Sequence, residues 1–347
     1  MMNTRAAVLY ETCSPLVVEE IQLPRLKPGQ VLVDMAYSGV CHTQLLEVNG
    51  KRGPDRYLPH CLGHEGSGVV LDVGPTVEKV SPGDRVVLSW IKGSGSDVPS
   101  TIYQSGESKI NSGAISTFME HTITCENRVT LIDERMPLKE AALLGCAIPT
   151  GAGAIFNTEG IRPGSHVAIF GIGGVGISAV MASKLMNCTM VIGVDIVEAK
   201  LAEAKRFGAT HIINALTEDP LEAILEITSG AGVDFAVEAV GNQRTMELAF
   251  RCVRERGGVC ILAGNLPHGG KVSIDPFDLI NGRRIIGTFG GETQPDRDIP
   301  LYAELYLNGK LDLSSMISRI FSLDQINDAL SDLERGAVVR GLLDLNG

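Results

Sequence analysis

The chain has 347 residues, of which 44% are hydrophobic and 20% charged, and its formal net charge is −11. This length favours two domains, because a single hydrophobic core stops growing at about 250–300 residues. The acidic balance argues against a nucleic-acid partner or an anionic membrane surface, since an acidic protein surface repels both.

The first part of the chain has the pattern of short β-strands. Apolar runs alternate there with Pro-Gly and Gly-Pro turns, which interrupt regular structure. The predicted strands are residues 6–10, 31–38, 69–73 and 85–90. Residues 93–116 are enriched in Gly and Ser and predict a long surface loop, which in a compact domain is usually functional or mobile.

From about residue 164, strands and helices alternate. The predicted strands are residues 167–170, 190–194, 211–213, 233–237 and 259–262, and the predicted helices are 198–207, 221–228 and 244–253. This alternation predicts an α/β fold with a doubly wound parallel sheet and right-handed crossovers. A last strand near 285–289 is expected at the sheet edge. In the residues after this strand, the sequence pattern predicts helices at 301–307 and 323–333 and a strand at 338–345.

Two further patterns bear on membranes and compartment. Residues 167–183 are uncharged for 17 residues, close to the minimum for a membrane helix, but four glycines divide them. We therefore expect a buried strand, turn and helix start. The N-terminus does not have the pattern of a secretion signal. The eight cysteines lack the dense spacing of a disulfide scaffold, so a cytoplasmic protein with mostly buried free thiols is expected.

A glycine-rich fingerprint follows the strand predicted at 167–170. It reads Gly171-Ile172-Gly173-Gly174-Val175-Gly176 and opens a helical pattern. Its glycines permit a tight turn, a close approach of the backbone to a pyrophosphate, and close helix–strand packing. The helix N-terminus then offers free N–H groups to the phosphates. The fingerprint predicts a dinucleotide site.

Asp195 supports this prediction and indicates which dinucleotide binds. It lies nineteen residues after Gly176, at the end of the next predicted strand, where a carboxylate accepts ribose hydroxyls. A 2′-phosphate would meet like charge there, and the residues that follow include no arginine, so we expect NAD rather than NADP. The alternative role for Asp195 is an N-cap for the helix that begins at Glu198.

Cys41, His64 and Cys146 are candidate zinc ligands. Three protein ligands leave a fourth position open, as in catalytic zinc sites, whereas structural sites are closed by four. Taken singly, each residue is more often a buried core residue. Cys61 and His64 form a rival local pair, but no second pair completes it, and Cys61 is expected to be a packed thiol.

The residues around these candidates provide a more specific indication. The motifs are Gly39-Val40-Cys41-His42-Thr43, Gly63-His64-Glu65-Gly66-Ser67-Gly68-Val69-Val70, Pro82-Gly83-Asp84-Arg85-Val86 and Gly145-Cys146-Ala147-Ile148-Pro149-Thr150-Gly151, followed by the dinucleotide fingerprint. In this order they resemble the zinc-containing medium-chain alcohol dehydrogenases, over nearly the whole chain.

The resemblance implies a fold, an activity and cofactors. The expected domains are a β-rich, GroES-like catalytic domain at 1–148 and 290–347 and an NAD-binding Rossmann domain at 149–289. The expected activity is hydride transfer between a small alcohol and NAD, or reduction of an aldehyde or ketone in reverse, with zinc as Lewis acid. A homodimer or homotetramer is also implied.

The resemblance also implies roles for individual residues. Cys41, His64 and Cys146 would bind zinc, and Glu65 would lie behind the metal as an occasional alternative ligand. Thr43 would hydrogen-bond the substrate oxygen and pass on its proton, and Trp90 would form a wall of the substrate pocket. The residues implied in coenzyme binding, besides the four fingerprint glycines and Asp195, are His42, Thr150, Val175, Lys200 and Arg340.

The sequence departs from the family pattern at three points. No cysteine lies between Trp90 and Cys125, where many members bind a structural zinc, so we predict one zinc per chain. Leu46 replaces the histidine that ends the proton relay; His60 is a weak substitute, expected at the surface. Gln44 replaces an acidic residue that holds the zinc-bound histidine.

Residues 51–56 form a basic turn, either a solvated loop or an attractor for an anionic substrate.

Two alternative functions remain open at this point. One is a zinc-free quinone or enoyl reductase of the same fold, whose members lack the Cys/His/Cys set. The other is an NAD-binding protein without catalysis, which the departures at Gln44 and Leu46 keep under consideration.

Overall fold

The computed structural model describes residues 2–158 and 161–346. The chain divides into two compact units, one formed by Met1–Cys146 with Gln294–Gly347 and the other by Ala147–Thr293. Among the described residues, no helix has the length and apolar character that crossing a membrane requires. The uncharged residues 167–183 form a strand, a turn and the first part of a helix, as predicted.

In chain order, the strands are β1 (Asn3–Leu9), β2 (Val17–Gln22), β3 (Gln30–Val40), β4 (His60–Cys61), β5 (Glu65–Val73), β6 (Arg85–Ser89), β7 (Ile102–Ser105), β8 (Ser108–Asn111), β9 (His121–Cys125), β10 (Val129–Leu131), β11 (His166–Phe170), β12 (Met190–Asp195), β13 (His211–Asn214), β14 (Phe235–Glu238), β15 (Val259–Leu262), β16 (Arg284–Gly287), β17 (Arg319–Ser322) and β18 (Gly341–Asp344). The helices are α1 (His42–Val48), α2 (Leu138–Ala141), α3 (Ala147–Phe156), α4 (Gly174–Leu185), α5 (Glu198–Phe207), α6 (Pro220–Ile227), α7 (Gln243–Arg251), α8 (Pro276–Ile280), α9 (Pro295–Leu307) and α10 (Ile326–Glu334).

The first unit is rich in β-structure. Its strands form a closed barrel in the order β1-β2-β7-β8-β4 and a sheet in the order β10-β6-β5-β3-β18-β17, with β9 also paired to β3. Apolar side chains of β1, β3, β5 and β6 alternate inward and pack with α10 into one core. Strand β18 pairs antiparallel with β3, so residues 341–344 lie beside residues 37–40.

The predicted long loop at 93–116 is wrong at residues 102–111. Residues 102–111 form the hairpin β7–β8, in which Tyr103 faces Ile110 across the two strands, and both side chains are fully buried. Each strand has only four residues. Because alternation over four residues gives almost no periodic signal, the surrounding Gly and Ser residues dominated the sequence pattern.

The second unit has the predicted doubly wound fold. Its sheet runs in the order β13-β12-β11-β14-β15-β16, and each neighbouring pair is parallel. The helix predicted at 198–207 has the bounds of α5. The last strand, β16, lies at the sheet edge as expected, although it ends at Gly287.

The tail differs from its prediction at two elements. Helix α9 begins at Pro295, six residues before the predicted start at 301, with Asp296 and Asp298 in its first turn. Proline is favoured at a first helical position and acidic residues stabilise a helix N-terminus. Pro300, inside the helix, concealed the early start. Strand β17 was not predicted; it pairs parallel with β18 at the sheet edge.

Candidate metal and dinucleotide sites

Four potential metal ligands meet within the first unit. Cys41 lies between β3 and α1, His64 and Glu65 lie at the start of β5, and Cys146 follows a 3₁₀ turn at 142–145. One ligand atom from each lies within 4.8 Å of the other three. The structure therefore brings together the three predicted zinc ligands and Glu65 from three separate segments.

The chemistry of this group fits zinc. Among the described residues, the Nε2 atom of His64 is buried and has no hydrogen-bond partner, so no hydrogen bond competes with a metal for this atom. Contact with Cys146 is the main cause that lowers the pKa of Cys41 well below its ordinary value; His64 adds to the effect and burial opposes it. A lowered pKa favours the thiolate, which is the form that binds metals.

Gln44 links two of these ligands. Its side chain is buried on α1, with 1% exposure, and its Oε1 accepts a hydrogen bond from the backbone N–H of Cys41 at 3.0 Å. Its amide nitrogen Nε2 lies against Nδ1 of His64. Gln44 therefore contacts His64, as the sequence led us to expect, but through its amide nitrogen and not through an accepting oxygen.

Glu65, one of the four grouped residues, forms a buried ion pair with Arg340. The Glu65 side chain is fully buried, and its carboxylate contacts the guanidinium of Arg340, which also donates to the Val40 carbonyl at 3.1 Å. A Cβ atom on Gly39 would lie 2.6 Å from the Glu65 carboxyl carbon. Gly39 thus leaves room for this pair. Arg340 has 4% exposure, and its contact with a coenzyme stays a prediction.

The other predicted residues of the first unit lie on α1 or next to β6. Thr43 is partly buried on α1, with its hydroxyl 3.9 Å from Sγ of Cys41. His42 is exposed at the first position of the same helix. Trp90 is partly buried and follows Ser89, which pairs with Glu65 between β6 and β5. Leu46 occupies the last turn of α1.

His60 is not the surface residue that we expected. It is 6% exposed in β4, and its Nε2 lies 2.7 Å from Oδ2 of Asp55. A two-residue strand gives no readable alternation, so its inward orientation could not be predicted. In the basic turn at 51–56, Lys51, Arg52 and Arg56 are exposed.

The fingerprint loop joins β11 to α4 in the second unit. Gly171 has φ +89°, a conformation that favours glycine. A Cβ atom on Gly176 would lie 1.9 Å from the Gly171 carbonyl oxygen, so helix and strand could not pack as closely. Gly173 caps α4, and a Cβ there would meet none of the described atoms within 4 Å. An open position there suits a ligand that approaches the backbone.

Asp195 holds the fingerprint loop against the end of β12. Its Oδ2 accepts from the N–H of Ile172 at 2.7 Å, and its Oδ1 accepts from the N–H groups of Ile196 and Val197 at 2.8 and 3.0 Å. The N-cap of α5 is Val197, so Asp195 does not cap that helix.

Thr150, Val175 and Lys200 complete the predicted set in this unit. Thr150 is 7% exposed on α3, and within the described part of the chain its hydroxyl has no hydrogen-bond partner. The next residue, Gly151, packs against α4, where a Cβ would lie 2.0 Å from the Val175 carbonyl oxygen. Lys200 is partly buried in the first turn of α5.

Glu238 was not predicted. It ends β14, beside Phe170, and is fully buried. Its Oε1 accepts hydrogen bonds from the N–H groups of Val240 and Gly241 and from the Thr245 hydroxyl, and burial raises its pKa. A carboxylate directly after a predicted parallel strand was the available signal, because such strand ends form ligand sites.

Two family models match the chain. The alcohol dehydrogenase GroES-like domain matches residues 27–134, and the zinc-binding dehydrogenase model matches residues 174–307. S-(hydroxymethyl)glutathione dehydrogenase of Paracoccus denitrificans is 31% identical, and the match covers 99% of this chain and 100% of the relative.

Solved structures agree with these matches. An alcohol dehydrogenase zinc-binding domain protein from Burkholderia ambifaria superposes with a TM-score of 0.91 at 32% identity, with 100% of both chains covered. Benzyl alcohol dehydrogenase from Acinetobacter calcoaceticus gives a TM-score of 0.89 at 30% identity, with 99% of both chains covered. The chain belongs to the zinc-containing medium-chain alcohol dehydrogenase family, whose members transfer a hydride between an alcohol and a nicotinamide dinucleotide.

Proposed function

We propose that this enzyme is an NAD-dependent alcohol dehydrogenase in which Cys41, His64 and Cys146 hold one catalytic zinc. The observation that supports it most directly is the convergence of two thiols and an imidazole whose Nε2 is buried without a partner among the described residues. When bound, zinc supplies a Lewis acid that polarises the substrate oxygen, and NAD supplies the hydride acceptor.

Thr43 is the proposed proton-relay residue. Its hydroxyl lies 3.9 Å from the sulfur of Cys41, so a substrate oxygen held beside the ligands is within its reach. A hydroxyl both accepts and donates a hydrogen bond, so Thr43 takes the substrate proton and passes it on without a net charge. Since residue 46 is leucine, the proton then leaves through another group.

The ion pair with Arg340 restricts the rotation of the Glu65 side chain. The ion pair is buried, so the guanidinium neutralises a carboxylate that burial would otherwise destabilise. We propose that Glu65 adds a neutralised carboxylate behind the metal, and that Trp90 forms one wall of the pocket. The proposed coenzyme contacts are His42, Thr150, Val175, Lys200, Arg340, Asp195 and the fingerprint glycines.

Substitution of one ligand tests the proposal. We expect Cys146→Ser to lower bound zinc below half an equivalent and to reduce turnover by at least about 10³-fold, because serine is a poor zinc ligand at neutral pH. NAD affinity should change less than about threefold, since the fingerprint is intact. Zinc is measured by atomic absorption and NAD binding by calorimetry.

Cys125→Ser is the matched control. Cys125 is also buried in the first unit, and its Sγ donates to the Val98 carbonyl at 3.1 Å, a bond that a serine hydroxyl can replace. This variant should keep its zinc and its activity. Full activity of the Cys146→Ser enzyme would contradict the ligand assignment.

The same measurements separate the alternative functions. A zinc-free quinone or enoyl reductase would turn over with less than half an equivalent of zinc. A non-catalytic NAD-binding protein would bind NAD and oxidise none of a broad alcohol panel. The panel should include benzyl alcohol and S-(hydroxymethyl)glutathione, since relatives that match this chain are named for them, together with short, long and sugar-type alcohols.

We also propose that the two units are the predicted catalytic and NAD-binding domains, and that the enzyme is a cytoplasmic homodimer or homotetramer. Two thiols that must stay reduced to bind a metal suit a reducing compartment. Strand β16 lies at the edge of the sheet, and edge strands favour pairing with a second copy. Sedimentation equilibrium should give two or four times the chain mass; a monomer would contradict the assembly.

A further inference from the structure

The side chain of Gln44 has two hydrogen-bond partners, one for its amide oxygen and one for its amide nitrogen. Its oxygen accepts from the N–H of Cys41 at 3.0 Å, and its nitrogen faces Nδ1 of His64. Gln44 is also the third residue of α1 and completes a capping box with Cys41. With 1% exposure, the amide has no access to water that could replace either partner.

This arrangement selects one tautomer of His64. An amide nitrogen only donates hydrogen bonds, so Nδ1 must accept, and a neutral imidazole then has its proton on Nε2. A metal ion, however, takes the lone pair of Nε2, the atom that has no partner among the described residues. In the metal-bound ring the proton is on Nδ1, where it faces the amide donor.

Rotation of the amide does not remove the conflict. If Oε1 turns to His64, Nε2 turns to the backbone N–H of Cys41, and a donor again faces a donor. A carboxylate of the same length has two acceptor oxygens and satisfies both partners. The amide therefore suits the metal-free site better than the metal-bound one.

We propose that Gln44 is a positioning residue that favours the metal-free tautomer of His64 and thereby weakens zinc binding, so that this site exchanges zinc more readily than it would with a glutamate at position 44. The inference rests on the proposed zinc site and concerns its affinity, not the reaction.

The test compares zinc affinity in the full-length wild type and in Gln44→Glu, by competition with a chromogenic chelator. We expect the variant to bind zinc at least about tenfold more tightly and to release it correspondingly more slowly, within the range known for partners of metal-bound histidines. An equal or weaker affinity in the variant overturns the proposal.

Two control variants separate this effect from charge and from capping. Gln325→Glu makes the same change at the same position of another capping box, where Gln325 is exposed and accepts from the N–H of Ser322 at 3.0 Å. Leu46→Glu adds a carboxylate to α1 itself. Both should bind zinc within about threefold of the wild type; a tenfold gain in Leu46→Glu would assign the effect to charge and overturn the proposal.

A second measurement needs no variant. In the metal-free wild type, nitrogen NMR of ¹⁵N-labelled histidine should show the proton of His64 on Nε2, whereas after zinc loading it should be on Nδ1. A proton on Nδ1 in the metal-free wild type overturns the inference. If the wild type binds no zinc at all, the proposed function fails instead, so the two failures are distinguishable.

Discussion

Asp195 makes three hydrogen bonds to backbone N–H groups, and these determine what its removal should do. Besides its proposed contact with ribose hydroxyls, it ties Ile172 of the fingerprint loop to the end of β12. We expect Asp195→Ala to weaken NAD binding by about tenfold or more, since a lost hydrogen bond to a charged group costs about 1.5–3 kcal/mol. The ratio of kcat/KM for NAD to that for NADP should fall, because the negative charge that repels a 2′-phosphate is gone.

Asp219→Ala is the control for this change. Asp219 also follows a strand and accepts from two backbone N–H groups, those of Leu221 and Glu222, as the N-cap of α6. Its loss should cost about 1 kcal/mol of stability and leave the coenzyme preference unchanged. An unaltered NAD to NADP ratio in Asp195→Ala would contradict the assignment of Asp195.

Two glycines in the motifs around Cys41 and Cys146 are explained by the packing of the side chains and backbone near them. Gly39 lies two residues before the candidate ligand Cys41 and Gly145 directly before the candidate ligand Cys146, and a Cβ on either glycine would lie within 2.7 Å of Glu65. Neither has a positive φ, so a local turn does not explain them. The sequence indicated that these positions matter, but the reason lies in the packing: Glu65 and Arg340 crowd Gly39, and the Leu88 carbonyl oxygen and Glu65 crowd Gly145.

At the scale of elements, the loop that follows β6 is held by a carboxylate. Glu126 accepts hydrogen bonds from the backbone N–H groups of Glu78 and Lys79 at 2.7 and 2.9 Å, and from that of Ser96 at 2.8 Å. A Cβ on Gly95 would lie 2.7 Å from the Glu126 side chain, so loop and carboxylate are in close contact. In this cysteine-free loop, Glu126 therefore fixes the backbone.

The pH dependence of stability tests the role of Glu126. Burial raises the pKa of this carboxyl, but hydrogen bonds from the N–H groups of Ser96, Glu78 and Lys79 outweigh burial and lower it below its ordinary value. A depressed pKa stabilises the fold above the unfolded-state value of about 4.3, and this contribution disappears as the pH falls through the folded-state value. Glu126→Gln should therefore be less stable than the wild type at pH 7, by about 1–3 kcal/mol, and the difference should shrink below pH ~4.

Urea unfolding at pH 7, 5, 4 and 3 measures this difference, since the loss is expected mainly between the last two values. Glu107→Gln, at an exposed position in the turn of the hairpin β7–β8, makes the same change in net charge and should have little effect at any pH. A constant difference between Glu126→Gln and the wild type across this range would argue against a stabilising carboxylate.

The accuracy of the sequence prediction varied with the clarity of the residue pattern. Helix α5 was predicted with its bounds, because ten residues give nearly three turns of helical periodicity. Strand β15 has only four residues, but they are a continuous apolar run, and it too was predicted with its bounds. The hairpin β7–β8 and strand β4 were missed, since their two to four residues form neither such a run nor a readable alternation. Their burial depends on pairing with strands far away in sequence, such as β4 with β1.

At the scale of the whole molecule, the candidate zinc site and the dinucleotide fingerprint lie in different units. The candidate zinc ligands all lie in Met1–Cys146, and the dinucleotide fingerprint lies in Ala147–Thr293. Because a ligand that binds the native state stabilises it, each ligand should protect mainly its own unit. We expect zinc removal to speed amide exchange in residues 36–66 and NAD addition to slow it in residues 170–197.

Hydrogen exchange followed by mass spectrometry makes this comparison on the full chain. The Asp195→Ala enzyme serves as control for NAD, because the same coenzyme concentration should protect residues 170–197 less. Zinc removal that affected mainly Ala147–Thr293 would contradict the assignment of sites to units.

Periodicity and short motifs act over a few residues, so the amino-acid sequence was enough to predict the fold class, the residue types of the candidate zinc ligands and the position of the glycine-rich loop. The tertiary structure alone decided what surrounds the ligands. Arg340 meets Glu65 because β18 pairs with β3 and sets Gly341 opposite Val40. Gln44 lies between Cys41 and His64 because α1 packs beside the start of β5. Such contacts join residues as much as 300 positions apart, and no local pattern specifies them.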